Sequence, residues 1–201
     1  VLTGDDSLSR RPMGRVIDPL TQMGARIESE AGGTAPLKIT GGQTLQGIDY
    51  TLPMASAQVK SCVLLAGLYA AGRTCTTEPA PTRDHTERML QGLGYSVAVD
   101  GPRVCLDGGG LLTGGPLTVP ADISSAAFFL VGASIASGSD LTLEQVGMNP
   151  TRTGVIDILQ RMGASIEISN EQVLGGEPVA DLRVTGADLH GIDIPPELVP
   201  L

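Results

Sequence analysis

Apolar positions near the start of the chain recur first with the spacing of a helix and then with that of a strand. Within Arg11–Ser29, apolar residues follow the i, i+3, i+4, i+7 spacing that forms one helix face: Met13, Val16, Ile17, Leu20 and Met23. Pro12 suits the first helical turn, and Gly24 suits the left-handed residue that ends a helix. The next residues, "ARIES", alternate as in a half-buried strand. The segment therefore predicts a helix followed by a strand.

The same helix-and-strand pattern occurs again twice along the chain. Arg11–Ser29 aligns without gaps with "PTRDHTERMLQGLGYSVAV" (Pro81–Val99) and with "PTRTGVIDILQRMGASIEI" (Pro150–Ile168). The glycine that ends each predicted helix recurs after 70 and then 69 positions, at Gly24, Gly94 and Gly163. An internal repeat therefore organises the chain.

Each repeat holds further predicted elements. Gly-rich segments at Pro36–Pro53, Arg103–Pro120 and, more loosely, Asp181–Pro196 each predict two short strands around a turn. Helical patterns follow the first two, at Ser56–Gly72 and Ser124–Gly138. The predicted unit is helix, strand, strand, strand, helix, strand, which is βαβαββ after a circular shift. Because such a unit is long and mixes strands with helices, it favours a globular α/β layer over a solenoid.

Composition restricts the classes of partner. The 201 residues are 41% hydrophobic and 2% aromatic, which predicts an aliphatic core. A net charge of −9 argues against nucleic acid or an anionic membrane as the main partner. No apolar run reaches membrane-spanning length, and no signal peptide is evident. The start at "VLTGDD" without Met and the stop at "PPELVPL" predict a chain truncated at both ends.

The cysteines Cys62, Cys75 and Cys105 show neither a CxxC motif nor a Cys/His spacing typical of a zinc site. Cys62 and Cys75 lie in or beside apolar runs. We therefore expect buried free thiols in a reducing cytoplasm, with neither a metal site nor a disulfide framework.

Positive side chains are few, and several of them cluster at predicted helix starts: Arg10, Arg11, Lys60, Arg83 and Arg152. A cation at a helix start opposes the helix dipole by about 0.3–1 kcal/mol, whereas a bound phosphate or carboxylate reverses that effect. Two interpretations stay open. Either these cations pair with neighbouring acids such as Asp84 and Glu87, or they bind an anionic ligand.

Other polar residues have simple structural interpretations. Ser56 is expected to cap a helix, and Gln58 is expected to be solvated. Lys60 lies two positions after Gln58, so it should point to another face and form a salt bridge. His85 has no evident carboxylate partner in the sequence, and His190 is expected at the surface. Because no nucleophile, metal-ligand pair or pair of catalytic carboxylates can be assembled, the residues alone favour an anion-binding α/β repeat protein.

Three segments carry a resemblance to a known family: "GDDSLSRRPMGRVIDPLTQMGA", "PMASAQVKSCVLLAGL" and "PTRDHTERML". They resemble the 5-enolpyruvylshikimate-3-phosphate synthases, and in particular their class II, glyphosate-tolerant bacterial branch. The resemblance runs essentially end to end. It implies the inside-out α/β barrel fold of that family, in which βαβαββ units form two domains. Residues 1–121 would then hold most of the upper domain, and residues 122–201 part of the lower one.

The resemblance also implies a reaction and a set of binding residues. The family transfers the enolpyruvyl group of phosphoenolpyruvate to the 5-hydroxyl of shikimate 3-phosphate, a step towards chorismate and the aromatic amino acids, without a metal or organic cofactor. By similarity, Ser56 and Gln58 contact shikimate 3-phosphate, and Gln58 is also near phosphoenolpyruvate. Ala57 replaces a serine of class I members. Arg83 fits an arginine near shikimate 3-phosphate, and Arg11 fits an arginine that binds phosphoenolpyruvate.

The chain departs from the family pattern in what it lacks. The family's N-terminal lysine and serine would precede Val1, and its catalytic aspartate would follow Leu201. We therefore expect no catalytic residue in this chain, no activity of the chain alone, and a complementary part of the same enzyme as a candidate partner. One alternative is the sister transferase acting on UDP-N-acetylglucosamine, although Asp6 replaces its usual cysteine. The other is a non-catalytic anion-binding α/β repeat module.

Overall fold

The computed structural model describes residues 1–198, which form two compact units. The first unit consists of Val1–Thr82 and Gly94–Thr113, and the second of Arg83–Leu93 together with the chain from Gly114 onwards. Each unit combines helices with β-sheets, so the predicted α/β fold is confirmed. The predicted boundary between residues 121 and 122 concerns the domains of the family fold and stays a prediction.

The first unit contains three helices and two sheets. Its helices are α1 (Asp6–Ser9), α2 (Gly14–Gln22) and α3 (Ala57–Gly67). Its strands are β1 (Arg26–Glu30), β2 (Thr34–Thr40), β3 (Asp49–Thr51), β4 (Arg73–Thr77), β5 (Ala98–Asp100) and β6 (Arg103–Asp107). β1 and β2 form an antiparallel pair, and the other strands form a sheet in the order β3-β4-β6-β5 in which β3 and β4 run parallel. From α2 to β4, the order of elements is that predicted for the repeat.

Helix α3 packs closely on the larger sheet of the first unit. Its buried residues Val63 and Leu64 are fully shielded from solvent, and Val63 joins Met23 and Ala70 in one apolar cluster. Gly67 allows the close approach to β4, because a Cβ at this position would come within 2.9 Å of the Thr74 side chain. The C-terminal end of α3 therefore lies close against β4.

The second unit is a three-stranded sheet covered by helices. Its helices are α4 (His85–Gly92), α5 (Ile123–Ile135) and α6 (Gly154–Arg161), followed by a short 3-10 helix at Pro196–Leu198. Its strands are β7 (Asp140–Gly147), β8 (Ser165–Leu174) and β9 (Glu177–Thr185), in the antiparallel order β7-β9-β8. The core cluster draws on α5, α6 and this sheet: Ile123, Ala126, Leu130, Ala133, Val146, Ile156, Leu159, Leu182 and Val184.

Helix α5 carries apolar side chains on its solvent side as well as on the side that packs in this core. Phe128, Phe129 and Ile135 are 81%, 59% and 67% exposed, respectively. Exposed aromatic and branched side chains on one helix face are typical of a surface that another part of a protein covers.

Two expectations from the sequence are wrong. The Gly-rich segments of the second and third repeats do not form two strands each, because residues 108–120 and 186–195 contain no strand. Residues 108–120 hold five glycines and two prolines, which weaken strand formation.

The expectation of free cysteines is the second one that is wrong. Cys75 and Cys105 lie opposite each other on β4 and β6, with Cα atoms 4.1 Å apart, and form a disulfide. Only Cys62 keeps a free thiol among the three.

Asp181, on the central strand β9, binds one residue at the irregularity of each neighbouring strand. One carboxylate oxygen accepts the backbone N–H of Gln145 at 2.8 Å, and the other accepts Nδ2 of Asn170 at 2.7 Å. Gln145 and Asn170 have positive φ angles of 52° and 51°, where β7 and β8 shift register against β9. The bond from Asn170, followed by that from Gln145, holds the pKa of Asp181 below its usual value. Both strands therefore bend at one anchored carboxylate.

We predict that Gln145→Gly raises the free energy of unfolding by about 0.5–1 kcal/mol, because glycine removes the cost of a left-handed backbone. The matched control is Gln172→Gly, since Gln172 is also exposed on a bulged strand but does not have a positive φ. This control should lower the free energy of unfolding by a similar amount. Urea unfolding of both variants measures the difference. Equal losses in the two variants would contradict the prediction.

Candidate functional site

The first turn of α3 carries three of the predicted binding residues. Ser56 caps the helix as predicted, since its hydroxyl oxygen accepts the backbone N–H of Val59 at 3.4 Å. Its own O–H remains available to donate. Ala57 begins the helix, and Gln58 is exposed. The N–H groups of a first helical turn have no partner within the helix, so this turn offers hydrogen-bond donors to an anion.

Arg15 is a residue of this region that the sequence interpretation missed. Its Nη2 donates to Oε1 of Gln58 at 3.3 Å, which brings the start of α2 beside the start of α3. Arg11, which precedes α2, is exposed, and its guanidinium forms no ion pair within residues 1–198. No local signal pointed to Arg15, because its partner Gln58 lies 43 positions away in the sequence.

Lys60 forms a salt bridge, as predicted, and this pair is buried. Its Nζ lies 3.2 Å from Oε2 of Glu78, and the two side chains are 2% and 7% exposed. The hydroxyl of Thr82 donates to the other oxygen of Glu78. Lys60 therefore ties the first turn of α3 to the segment that follows β4, and it serves as a structural anchor of the first unit.

Arg83 belongs to the second unit and is exposed. The neighbouring Asp84 binds Nε of Arg88 at 2.9 Å, and Arg83 forms no ion pair among the described residues. The pairing interpretation therefore does not apply to Arg83. The residue lines a cavity of about 290 Å³ together with residues of α5, α6 and the segment before α6: Ile123, Ser124, Ala127, Thr151, Arg152 and Val155.

His85 has the carboxylate partner that the sequence did not reveal. Its Nδ1 lies 2.7 Å from Oε1 of Glu177, the first residue of β9. His85 is also the first residue of α4, so it is a polar residue at a helix start. The two residues are 92 positions apart, and no local pattern indicates their contact. His190 is exposed, as predicted.

Asn149, only 2% exposed, connects the segments around His85 and was not predicted. Its Nδ2 donates to Oδ1 of Asp84 at 2.7 Å and to Oε2 of Glu177 at 3.2 Å. Its Oδ1 accepts both the N–H of Thr151 at 2.9 Å and the hydroxyl of Thr151 at 2.7 Å. The amide thus uses both its donor and its acceptor sides, and it fixes the start of α4 against the segment that leads to α6.

Hydrogen bonds and nearby cations favour the ionised forms of two carboxylates of this region, Asp84 and Asp122. Partial burial by itself would raise the pKa of Asp84, but hydrogen bonds from Arg88 and Asn149 outweigh it and lower that pKa. Burial likewise acts to raise the pKa of Asp122, and hydrogen bonds from Ser124 and Ser125 with the charge of Arg152 lower it.

The free cysteine of α3, Cys62, is not activated as a thiolate. Burial raises the pKa of its thiol, so the protonated form prevails at neutral pH.

Within residues 1–198, no group of three or more His, Cys, Asp and Glu side chains is arranged to hold a metal ion. Over the same residues, every helix is too short or too polar to cross a membrane.

Known proteins similar to this chain agree in their description. The family described as EPSP synthase (3-phosphoshikimate 1-carboxyvinyltransferase) matches residues 1–200. The 3-phosphoshikimate 1-carboxyvinyltransferase of Alkalilimnicola ehrlichii is 74% identical over 200 residues, which are 100% of this chain and 45% of that protein. The protein of the same name from Nitrosococcus oceani is 67% identical over 201 residues, again 100% of this chain and 45% of its own length.

A solved structure gives the same result for the fold. The EPSP synthase from Acinetobacter baumannii matches with a TM-score of 0.90 and 58% sequence identity, covering 98% of this chain and 46% of that chain. The chain therefore spans about half the length of the relatives that it matches.

Proposed function

The chain belongs to the EPSP synthase family, and on this premise we propose that it forms part of a 3-phosphoshikimate 1-carboxyvinyltransferase. The parent enzyme transfers the enolpyruvyl group of phosphoenolpyruvate to the 5-hydroxyl of shikimate 3-phosphate and releases phosphate. The observation that carries this proposal is the 74% identity over the whole chain to a relative of that name. Donors at the start of α3 and an unpaired arginine beside a cavity suit substrates that are polyanions.

Each predicted residue has a role in this proposal. The O–H of Ser56, the backbone of Ala57 and the amide of Gln58 bind shikimate 3-phosphate, and Gln58 also approaches phosphoenolpyruvate. Arg83 binds shikimate 3-phosphate, and Arg11 binds phosphoenolpyruvate. These groups hold and orient anions, whereas the groups that move protons belong to the rest of the parent enzyme. We assign no catalytic residue to this chain.

The exposed apolar face of α5 suits contact with another part of the parent enzyme. Phe128, Phe129 and Ile135 lie on the solvent side of a helix whose opposite side packs in the core of the second unit. We propose that the complementary part of the same enzyme covers this face, since relatives are about twice as long as this chain.

The alternatives receive less support. The family model and the relatives described above carry the name 3-phosphoshikimate 1-carboxyvinyltransferase, which does not favour the sister transferase. A non-catalytic anion-binding module would bind phosphate compounds without turnover in any context. Turnover by a complete enzyme that contains this chain therefore separates this module from a transferase.

We propose a cytoplasmic location for the parent enzyme, as expected for a biosynthetic transferase that uses phosphorylated metabolites. The Cys75–Cys105 disulfide points the other way, because disulfides are rare in reducing compartments. Thiol counting on protein purified under anaerobic conditions would decide: three reactive thiols after unfolding support the cytoplasmic proposal, and one contradicts it.

We predict that the chain binds shikimate 3-phosphate weakly and that Arg83→Ala reduces this affinity by about tenfold or more, because a charge-assisted hydrogen bond is lost. Ser56→Asp should have a similar effect. Aspartate keeps the helix cap, so the variant stays folded, but its charge repels a phosphate. Calorimetric titration measures the affinities. Arg161→Ala is the control, since Arg161 is exposed in the last turn of α6. Unchanged affinity in both site variants would contradict the assignment.

A further inference from the structure

The cavity beside Arg83 contains a second arginine that no family assignment above uses. Arg152 lines the same cavity, and its side chain is 19% exposed. Its Nη2 lies 3.1 Å from Oδ1 of Asp122 and also donates to the hydroxyl oxygen of Ser124. These contacts use one nitrogen of the guanidinium, so Nε and Nη1 remain available to a ligand in the cavity.

Ser124 adds a hydroxyl donor on the same wall. Because its oxygen accepts from Arg152, its O–H proton is free to point into the cavity. The apolar residues Ile123, Ala127 and Val155 complete the lining, and they limit the water around the polar groups. The cavity thus offers two guanidinium groups and the hydroxyl of Ser124, whereas the hydroxyl of Thr151, which also lines it, donates to Asn149.

The donors and the net positive charge favour an anion with several acceptor oxygens. Asp122 balances the charge of Arg152, whereas Arg83 has no acidic partner among the described residues. A phosphate monoester can accept from two guanidinium groups and a hydroxyl at once, since it has three terminal oxygens. A carboxylate offers two oxygens instead of three, so one oxygen would have to accept from two of these three groups.

Asn149 fixes the two arginines with respect to each other. It binds Asp84, which directly follows Arg83, and it binds both polar groups of Thr151, which directly precedes Arg152. The backbone at the base of each arginine is therefore held by the same buried amide. Such pre-organisation reduces the ordering cost of binding.

We propose that Arg152 is a second phosphate-binding residue, which acts with Arg83 and Ser124 on one phosphate monoester group in this cavity. Asn149 is the positioning residue for the pair. The inference rests on the proposed function, and it extends the Arg83 contact to the phosphate of shikimate 3-phosphate.

The test is a calorimetric titration of the chain with inorganic phosphate, shikimate 3-phosphate and shikimate. Arg152→Gln should weaken binding of the two phosphate compounds by about tenfold or more and leave any shikimate binding unchanged. Arg161→Gln removes the same charge from the same unit and should change none of the affinities. Arg152→Lys keeps the charge but loses the paired donors, so it should recover only part of the affinity.

The outcomes separate this inference from the proposed function. If Arg83→Gln weakens shikimate 3-phosphate binding and Arg152→Gln does not, the inference is overturned and the proposed site stands. If neither variant changes the affinity for shikimate 3-phosphate, the inference about Arg152 and the proposed Arg83 site are both overturned. Circular dichroism establishes that each variant is folded. Asn149→Ala provides a second measurement: folded protein with reduced phosphate affinity supports the positioning role, and folded protein with unchanged affinity overturns it.

Discussion

Lys60→Met is expected to lower the free energy of unfolding by about 3–5 kcal/mol, because it leaves the carboxylate of Glu78 buried without a counter-charge. The salt bridge of 3.2 Å joins side chains that are 2% and 7% exposed, so water cannot solvate the remaining charge. Methionine keeps most of the volume of lysine, so little of the loss comes from a cavity. Chemical denaturation followed by circular dichroism measures the effect.

The chain provides a matched control for this variant. Lys38 also pairs with a glutamate at 3.3 Å, but the side chains of Lys38 and Glu28 are 63% and 67% exposed. Lys38→Met should therefore change the free energy of unfolding by about 0–1 kcal/mol. Adding Glu78→Gln to Lys60→Met should recover much of the loss, since it removes the buried charge. Equal losses for the two lysines would show that burial does not govern the pair.

Local features of the first site could be predicted from the sequence. Ser56 as a helix cap depends on residues three positions apart, and the face of Lys60 follows from helical periodicity alone. The repeat likewise predicts α2, α3 and β4: Ser56 caps α3, and Gly24 after α2 has the positive φ expected of it. Short-range physical chemistry therefore accounts for most of the first unit.

The contacts that organise the second unit could not be predicted in this way. His85 meets Glu177 across 92 positions, and Asn149 meets Asp84 across 65 positions. The same holds in the first unit for the Cys75–Cys105 disulfide, which joins strands whose register is set by the whole sheet. A single sequence carries no periodic signal for such pairs, because their proximity arises only when the elements have packed.

The missing strand in residues 108–120 has a related cause. The first repeat gains β3 because that strand pairs with β4 in parallel. The equivalent residues of the second repeat form no sheet pairing within the described part of the chain, apart from a single bridge between Ala121 and Val146 next to them. A strand needs a partner as well as a pattern, and the pattern alone did not reveal whether a partner exists.

The second large effect that we expect concerns turnover, which should be absent for the chain alone and present in a complete enzyme that contains it. In the proposed function, the chain contributes side chains that bind anions, and we assign it no group that transfers protons. Binding without acid–base groups does not lower the barrier of enolpyruvyl transfer. The chain alone should therefore release no measurable phosphate from phosphoenolpyruvate and shikimate 3-phosphate. Replacing the matching 200 residues of the Alkalilimnicola ehrlichii protein with this chain should give an active enzyme, because 74% identity preserves the packing surfaces.

Phosphate release by this chimera is the most direct test of the account. The measurement compares the chain alone, the chimera, and the chimera with Arg83→Ala or with the control Arg161→Ala. We predict no turnover by the chain, turnover by the chimera and by its Arg161→Ala control, and a loss of about tenfold or more in kcat/KM for shikimate 3-phosphate with Arg83→Ala. Turnover by the chain alone, or a folded chimera without turnover, would contradict the proposal that this chain is the anion-binding part of a 3-phosphoshikimate 1-carboxyvinyltransferase.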